Sequence, residues 1–137
     1  MTNQSLIPEL LVNDFQQSLH FYTSILGFTI DNERLENKFA MLSIEGSQIM
    51  INQRNGSWET GAFEYPLGRG INIQIKVLTI ANLLANLKSS HVALYQQPEE
   101  AWYRKGDVEV GHLEFLVQDP DGYLLRFVQS LGDRKTI

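Results

Sequence analysis

The chain has 137 residues, 43% of them hydrophobic and 20% charged, with 16 acidic against 11 basic side chains and a formal net charge of −5. That composition excludes disorder and fits one domain with a real core. The absence of cysteine excludes disulfides, thiolate metal sites and a cysteine nucleophile, and the acidic balance, with no basic stripe, argues against nucleic acid and mildly favours a cationic ligand.

The opening residues MTNQSLIPEL carry neither a basic n-region nor an apolar h-region, so no signal peptide is expected. No apolar run approaches the length of a membrane span. The expected location is the cytoplasm.

Leu6 to Val12 reads as a strand. Asn13-Asp14 supplies capping oxygens, and Phe15, Leu19, Tyr22 and Ile25/Leu26 follow at helical spacing, predicting an amphipathic helix over 14–26. Gly27 stands at the left-handed C-cap position. Three strands follow, at Phe28–Arg34, Phe39–Ile44 and Gln48–Gln53. Arg54 to Gly68 is a long loop bearing Trp58, Phe63 and Tyr65.

The pattern then restarts. Gly70 to Val77 reads as a strand, and Thr79 caps a helix whose apolar face is Ile80, Leu83, Leu84 and Leu87. Val92 to Tyr95 is a strand. Gln97 to Gly111 is a second long loop, with Trp102 and Tyr103. His112–Gln118 and Tyr123–Gln129 are strands joined by Asp119-Pro120-Asp121-Gly122, a strong turn signal: proline presets φ and glycine takes the positive φ. The halves superpose in pattern rather than in letters, at about residues 6–53 and 70–130 of one domain. The fold class is α+β, built from two βαβββ modules.

Alternation along the strands separates two faces. Ile73, Ile75, Leu113, Phe115 and Val117 point one way; Asn72, Gln74, Lys76, His112, Glu114 and Arg126 point the other. Met50 shares the mixed face of its own strand with Gln48 and Asn52. Plain solvent exposure would explain such a face. Its amides, Met50 and Glu114, with two aromatic loops nearby, favour a concave ligand pocket instead. Glu114 and Arg126 are expected to pair in it.

The runs IPELLVNDFQQSLHFYTSILGF, GRGINIQIKV and WYRKGDVEVGHLEFLVQDPDGYLLRF resemble the glyoxalase/bleomycin-resistance/extradiol-dioxygenase superfamily, also called vicinal oxygen chelate proteins, over about residues 6–131. WYRKGDVEVGH looks like the bleomycin-resistance branch. The resemblance implies an eight-stranded incomplete barrel with helices on its convex side, and a homodimer with sites near the interface. Metal-dependent members hold a divalent ion with His and Glu at positions that fall here on Ile7, Met50, Asn72 and Arg126. None is a normal ligand, so no metal and no cofactor are expected.

The reading is therefore a drug-sequestering type of binder whose expected ligand is a planar, cationic molecule. Its expected contacts are Trp102, Tyr103, Trp58, Met50, Asn72, Gln74, Glu114 and Arg126, with no catalytic residue assigned. The alternative is a metal-dependent lyase or dioxygenase with relocated ligands such as His112 and Glu114, which share a face at i, i+2.

Overall fold

The computed structural model describes residues 3–136. Its eight strands lie in two four-stranded sheets. The first module runs β1 (Glu9–Val12), α1 (Phe15–His20, continuing as a π-helical turn over Phe21–Ile25), β2 (Thr29–Arg34), β3 (Phe39–Ile44) and β4 (Ser47–Gln53). The second runs β5 (Asn72–Val77), α2 (Ala81–Ser89), β6 (Gln96–Lys105), β7 (Val108–Gln118) and β8 (Leu124–Lys135). The sheet orders are β1-β4-β3-β2 and β5-β8-β7-β6, the same permutation twice. In each sheet the first strand pairs parallel with the last and the other pairings are antiparallel. The expected α+β fold of two βαβββ modules is what forms.

The first helix starts as its capping signal predicts. Asp14 is extended, and its carboxylate accepts the Gln17 N–H at 3.1 Å. The helix ends in a wider π turn, and Gly27, at φ +85°, turns the chain into β2. Phe15 and Tyr22 are almost wholly buried, with Leu42, Ile49 and Ile51 of the sheet. Each such apolar side chain contributes roughly 1.5–3 kcal/mol. In the second module Ile75, Leu87, Phe115, Leu125 and Phe127 form the corresponding core, with Phe115 stacked on Phe127.

Several boundaries differ from the sequence reading, among them the end of β8, which runs on to Lys135 past the expected Gln129. β1 is shorter than Leu6–Val12, because Pro8 has no N–H to give a ladder. α2 begins after Ile80, though Thr79 Oγ1 still accepts the Ala81 N–H at 3.3 Å. Val92–Tyr95 is not a strand. The supposed loop Gln97–Gly111 is instead the long strand β6, a two-residue turn at Gly106-Asp107, and the start of β7.

The chain divides into two compact units: one runs through Arg69 and takes in Asp119–Tyr123, and the other comprises Gly70–Gln118 and Leu124 onward. The turn between β7 and β8 is thus part of the first unit. Asp119 holds it. Its Oδ1 accepts the N–H groups of Asp121 and Tyr123 at 2.9 and 3.0 Å, and its Oδ2 accepts the Tyr22 hydroxyl at 2.7 Å. Asp121 accepts the Asn13 N–H, and its carbonyl accepts the Leu67 N–H. The Tyr123 hydroxyl donates to the Leu11 carbonyl at 2.8 Å. Gly122, at φ +92°, lies so close to Pro66 that a Cβ would sit 2.6 Å from its Cα.

Burial pushes the Asp119 carboxyl up from 3.8 to about 6, against the opposing pull of its three donors. Because the folded value lies above the unfolded one, this contribution to stability is full below about pH 4 and lost as pH rises through about 6. Urea unfolding between pH 4 and 7 should therefore show a loss on the order of 2–3 kcal/mol in the wild type. Asp119→Asn should remove that slope, and equal slopes in the two proteins would contradict the assignment.

Candidate functional site

The polar face of the second sheet gathers around one buried acid. β7 presents His112 and Glu114 two residues apart, β8 presents Arg126, and β5 presents Gln74 in register with Arg126. β6 adds Tyr103. Glu114 is only 5% exposed, which is unusual for an acid and demands partners. Its Oε2 accepts the Tyr103 hydroxyl at 3.0 Å and lies 3.9 Å from Arg126 Nη1. Its Oε1 lies 3.4 Å from His112 Nδ1, without the alignment of a hydrogen bond. Arg126 Nη2 donates to Gln74 Oε1 at 2.6 Å. The Tyr103 and His112 rings lie 5.4 Å apart. Burial, then the Glu114 carboxylate, pushes the Tyr103 phenol above its ordinary value.

Three atoms of this cluster, His112 Nδ1, Glu114 Oε1 and Arg126 Nε, are buried without a hydrogen-bond partner. A buried polar atom left in that state costs about 1–3 kcal/mol. Unmet hydrogen-bonding capacity is thus concentrated around one carboxylate, at His112, Glu114 and Arg126.

The expected contacts divide among several places. Tyr103, Glu114, Arg126 and Gln74 come together, and Asn72 shares their face at the exposed start of β5. Trp102 points the other way, since it neighbours Tyr103 along a strand. Its ring lies against Gly111, with the Arg134 guanidinium 4.0 Å from its centroid. Met50 is half-buried on β4, in the first unit. Trp58, also in the first unit, is 79% exposed and lines a hollow of about 510 Å³ with Glu9, Phe63, Arg69 and Tyr123. His112 and Glu9 were not among the expected contacts. The alternation that singled out Glu114 also carried both, Glu9 opposing Leu10 and Val12 on β1.

The residues at the family's metal positions do not fit an ion. Ile7 and Met50 offer no hard donor, and Arg126 brings a guanidinium already engaged by Gln74 and beside Glu114. Among the described residues, no three His, Asp or Glu side chains group as metal ligands would. No described helix is long and apolar enough to cross a membrane.

Comparison with known proteins gives the family and the fold. The profile of the Glyoxalase/Bleomycin resistance protein/Dioxygenase superfamily matches residues 6–127. A protein of Vibrio cholerae named probable lactoylglutathione lyase is 27% identical over 139 residues, covering 95% of this chain and 94% of its own. An integron cassette protein from the mobile metagenome of V. cholerae has a similar fold at TM-score 0.67 and 19% identity, covering 94% of this chain and 97% of that one. A virulence protein of Salmonella typhimurium does so at 0.66 and 18%, covering 94% and 98%.

Removing the Tyr103 hydroxyl should test the cluster's internal bonding. A double-mutant cycle of Tyr103→Phe and Glu114→Ala, read by chemical unfolding, should give a coupling of about 1 kcal/mol. Strict additivity would mean that the 3.0 Å bond contributes nothing.

Proposed function

The chain belongs to the glyoxalase/bleomycin resistance protein/dioxygenase superfamily, and from that premise we propose that it is a metal-independent binder of a small organic molecule, akin to the drug-sequestering members. The observation that carries this reading is the buried Glu114, whose Oε1 beside His112 has no hydrogen-bond partner, next to an Arg126 whose Nε also lacks one. Such a set favours a flat, polar ligand that meets the cluster through the partly exposed His112 and Arg126 side chains, with the Tyr103 ring at its edge and Glu114 supplying the negative charge behind them. Asn72 and Gln74 extend the polar contact along β5.

The protein acts as a homodimer in this reading. Each sheet ends in unpaired edges, β1 and β2 in one and β5 and β6 in the other, and pairing between copies would cover them. The cytoplasm is the compartment proposed.

One observation favours a second reading. The Vibrio relatives are named probable lactoylglutathione lyase, which points to a metal-dependent lyase with ligands drawn from His112 and Glu114. Two ligands make a poor ion site, so this reading ranks second.

Titrating bleomycin and a panel of flat aromatic compounds, followed by calorimetry, tests the first reading. Saturable binding that weakens about tenfold on Glu114→Gln is expected. A panel with no saturable member would sink it. Elemental analysis separates the second: a stoichiometric divalent ion, removed by chelator and absent from His112→Ala, would overturn metal independence.

A further inference from the structure

The first unit carries a hollow that shares no residue with the Glu114 cluster, and we infer that it is a separate site for an organic cation. It lies between β1 and the 54–69 loop, and its volume of about 510 Å³ is that of a small-molecule pocket. An adjoining hollow of about 490 Å³ shares Glu9 and Trp58 with it.

Trp58 is the reason to assign a ligand. It is 79% exposed, so its indole forgoes the stabilisation that burial would give. It also takes a left-handed backbone, φ +61°, which L side chains avoid. The loop holds it there. Glu59 accepts from Arg54 Nη2 at 2.5 Å and from the Gly56 N–H at 2.9 Å, and the Ser57 N–H donates to Asn55 Oδ1 at 2.9 Å. The ring is displayed by a braced segment rather than left over. Phe63 and Tyr123 add aromatic surface to the same hollow.

The charges select the ligand's sign. Glu9, Glu59 and Glu64 line the hollow against one cation, Arg69. Glu59 is neutralised by Arg54, which also lies 4.1 Å from the Phe63 ring centroid. Arg69 directs its Nε and Nη2 at the Pro66 and Tyr65 carbonyls, at 3.1 and 3.2 Å, and its single charge does not balance the two carboxylates Glu9 and Glu64. Glu9 and Glu64 form no ion pair among the described residues, so the remaining lining charge is negative. An anion would meet two free carboxylates, with Arg69 already turned to the backbone. A positive nitrogen can instead sit over the indole face and near Glu9, where cation–π attraction and the carboxylate act together.

Benzyltrimethylammonium is a suitable probe, read by fluorescence in Trp102→Phe, where Trp58 is the only tryptophan left. Saturable quenching is expected, with affinity falling about tenfold on Glu9→Gln and little or no competition from benzyl alcohol. Calorimetry on Trp58→Leu, a change at an exposed position, should show the binding lost. Glu114→Gln should leave affinity within about twofold, which separates this site from the one on the second sheet. Four results would each overturn the inference: absence of saturable quenching, equal binding of benzyl alcohol, unchanged affinity in Glu9→Gln and Trp58→Leu, or loss of binding in Glu114→Gln.

Discussion

The Asp119 carboxylate is the constraint on which the second sheet depends. It accepts the N–H groups of Asp121 and Tyr123 within its own turn and the hydroxyl of Tyr22 from the first helix. A turn held at three points permits one register between the strands it joins, and a one-residue slip would reverse every side chain across the sheet. In the register adopted, Glu114 opposes Val128 and Arg126 opposes Leu116. Arg126 in turn aligns with Gln74 on β5. The polar face and its buried acid follow from that alignment. Asp119 does this at a cost in desolvation, which its three donors offset only in part.

Much of this was legible because strong local chemistry coincides with the global fold. Asp14 caps where a capping residue stands, Gly27 turns where a glycine allows, and Asp-Pro-Asp-Gly makes the hairpin between β7 and β8. Alternation along β5 and β7 assigned their faces correctly, because one side of each is almost purely aliphatic or aromatic. β6 was misread for the converse reason. Its sequence, Gln-Gln-Pro-Glu-Glu-Ala-Trp-Tyr-Arg-Lys, has no apolar alternation, and it lies at the sheet's edge where none is required. Pro98 and the paired acids are what an edge strand tolerates, and what a loop also looks like.

That one misreading bore on the site. As loop residues, Trp102 and Tyr103 could approach one ligand together. As strand neighbours they face opposite ways: Tyr103 donates to Glu114, while Trp102 lies on Gly111 beneath Arg134. The place of His112 was legible as a shared face with Glu114. That three atoms around this acid would be left unpaired was not, because it depends on side-chain angles that no periodicity encodes.

In the proposed reading the family's architecture carries different chemistry: the resemblance aligns the Arg126 guanidinium with the position of a metal-binding carboxylate, and unmet hydrogen-bonding capacity collects around Glu114. A crystal structure of protein purified without chelator tests this most directly. The account predicts density for an organic molecule against the His112, Arg126 and Tyr103 side chains that surround Glu114. A divalent ion bound by His112 and Glu114 at that place would contradict it.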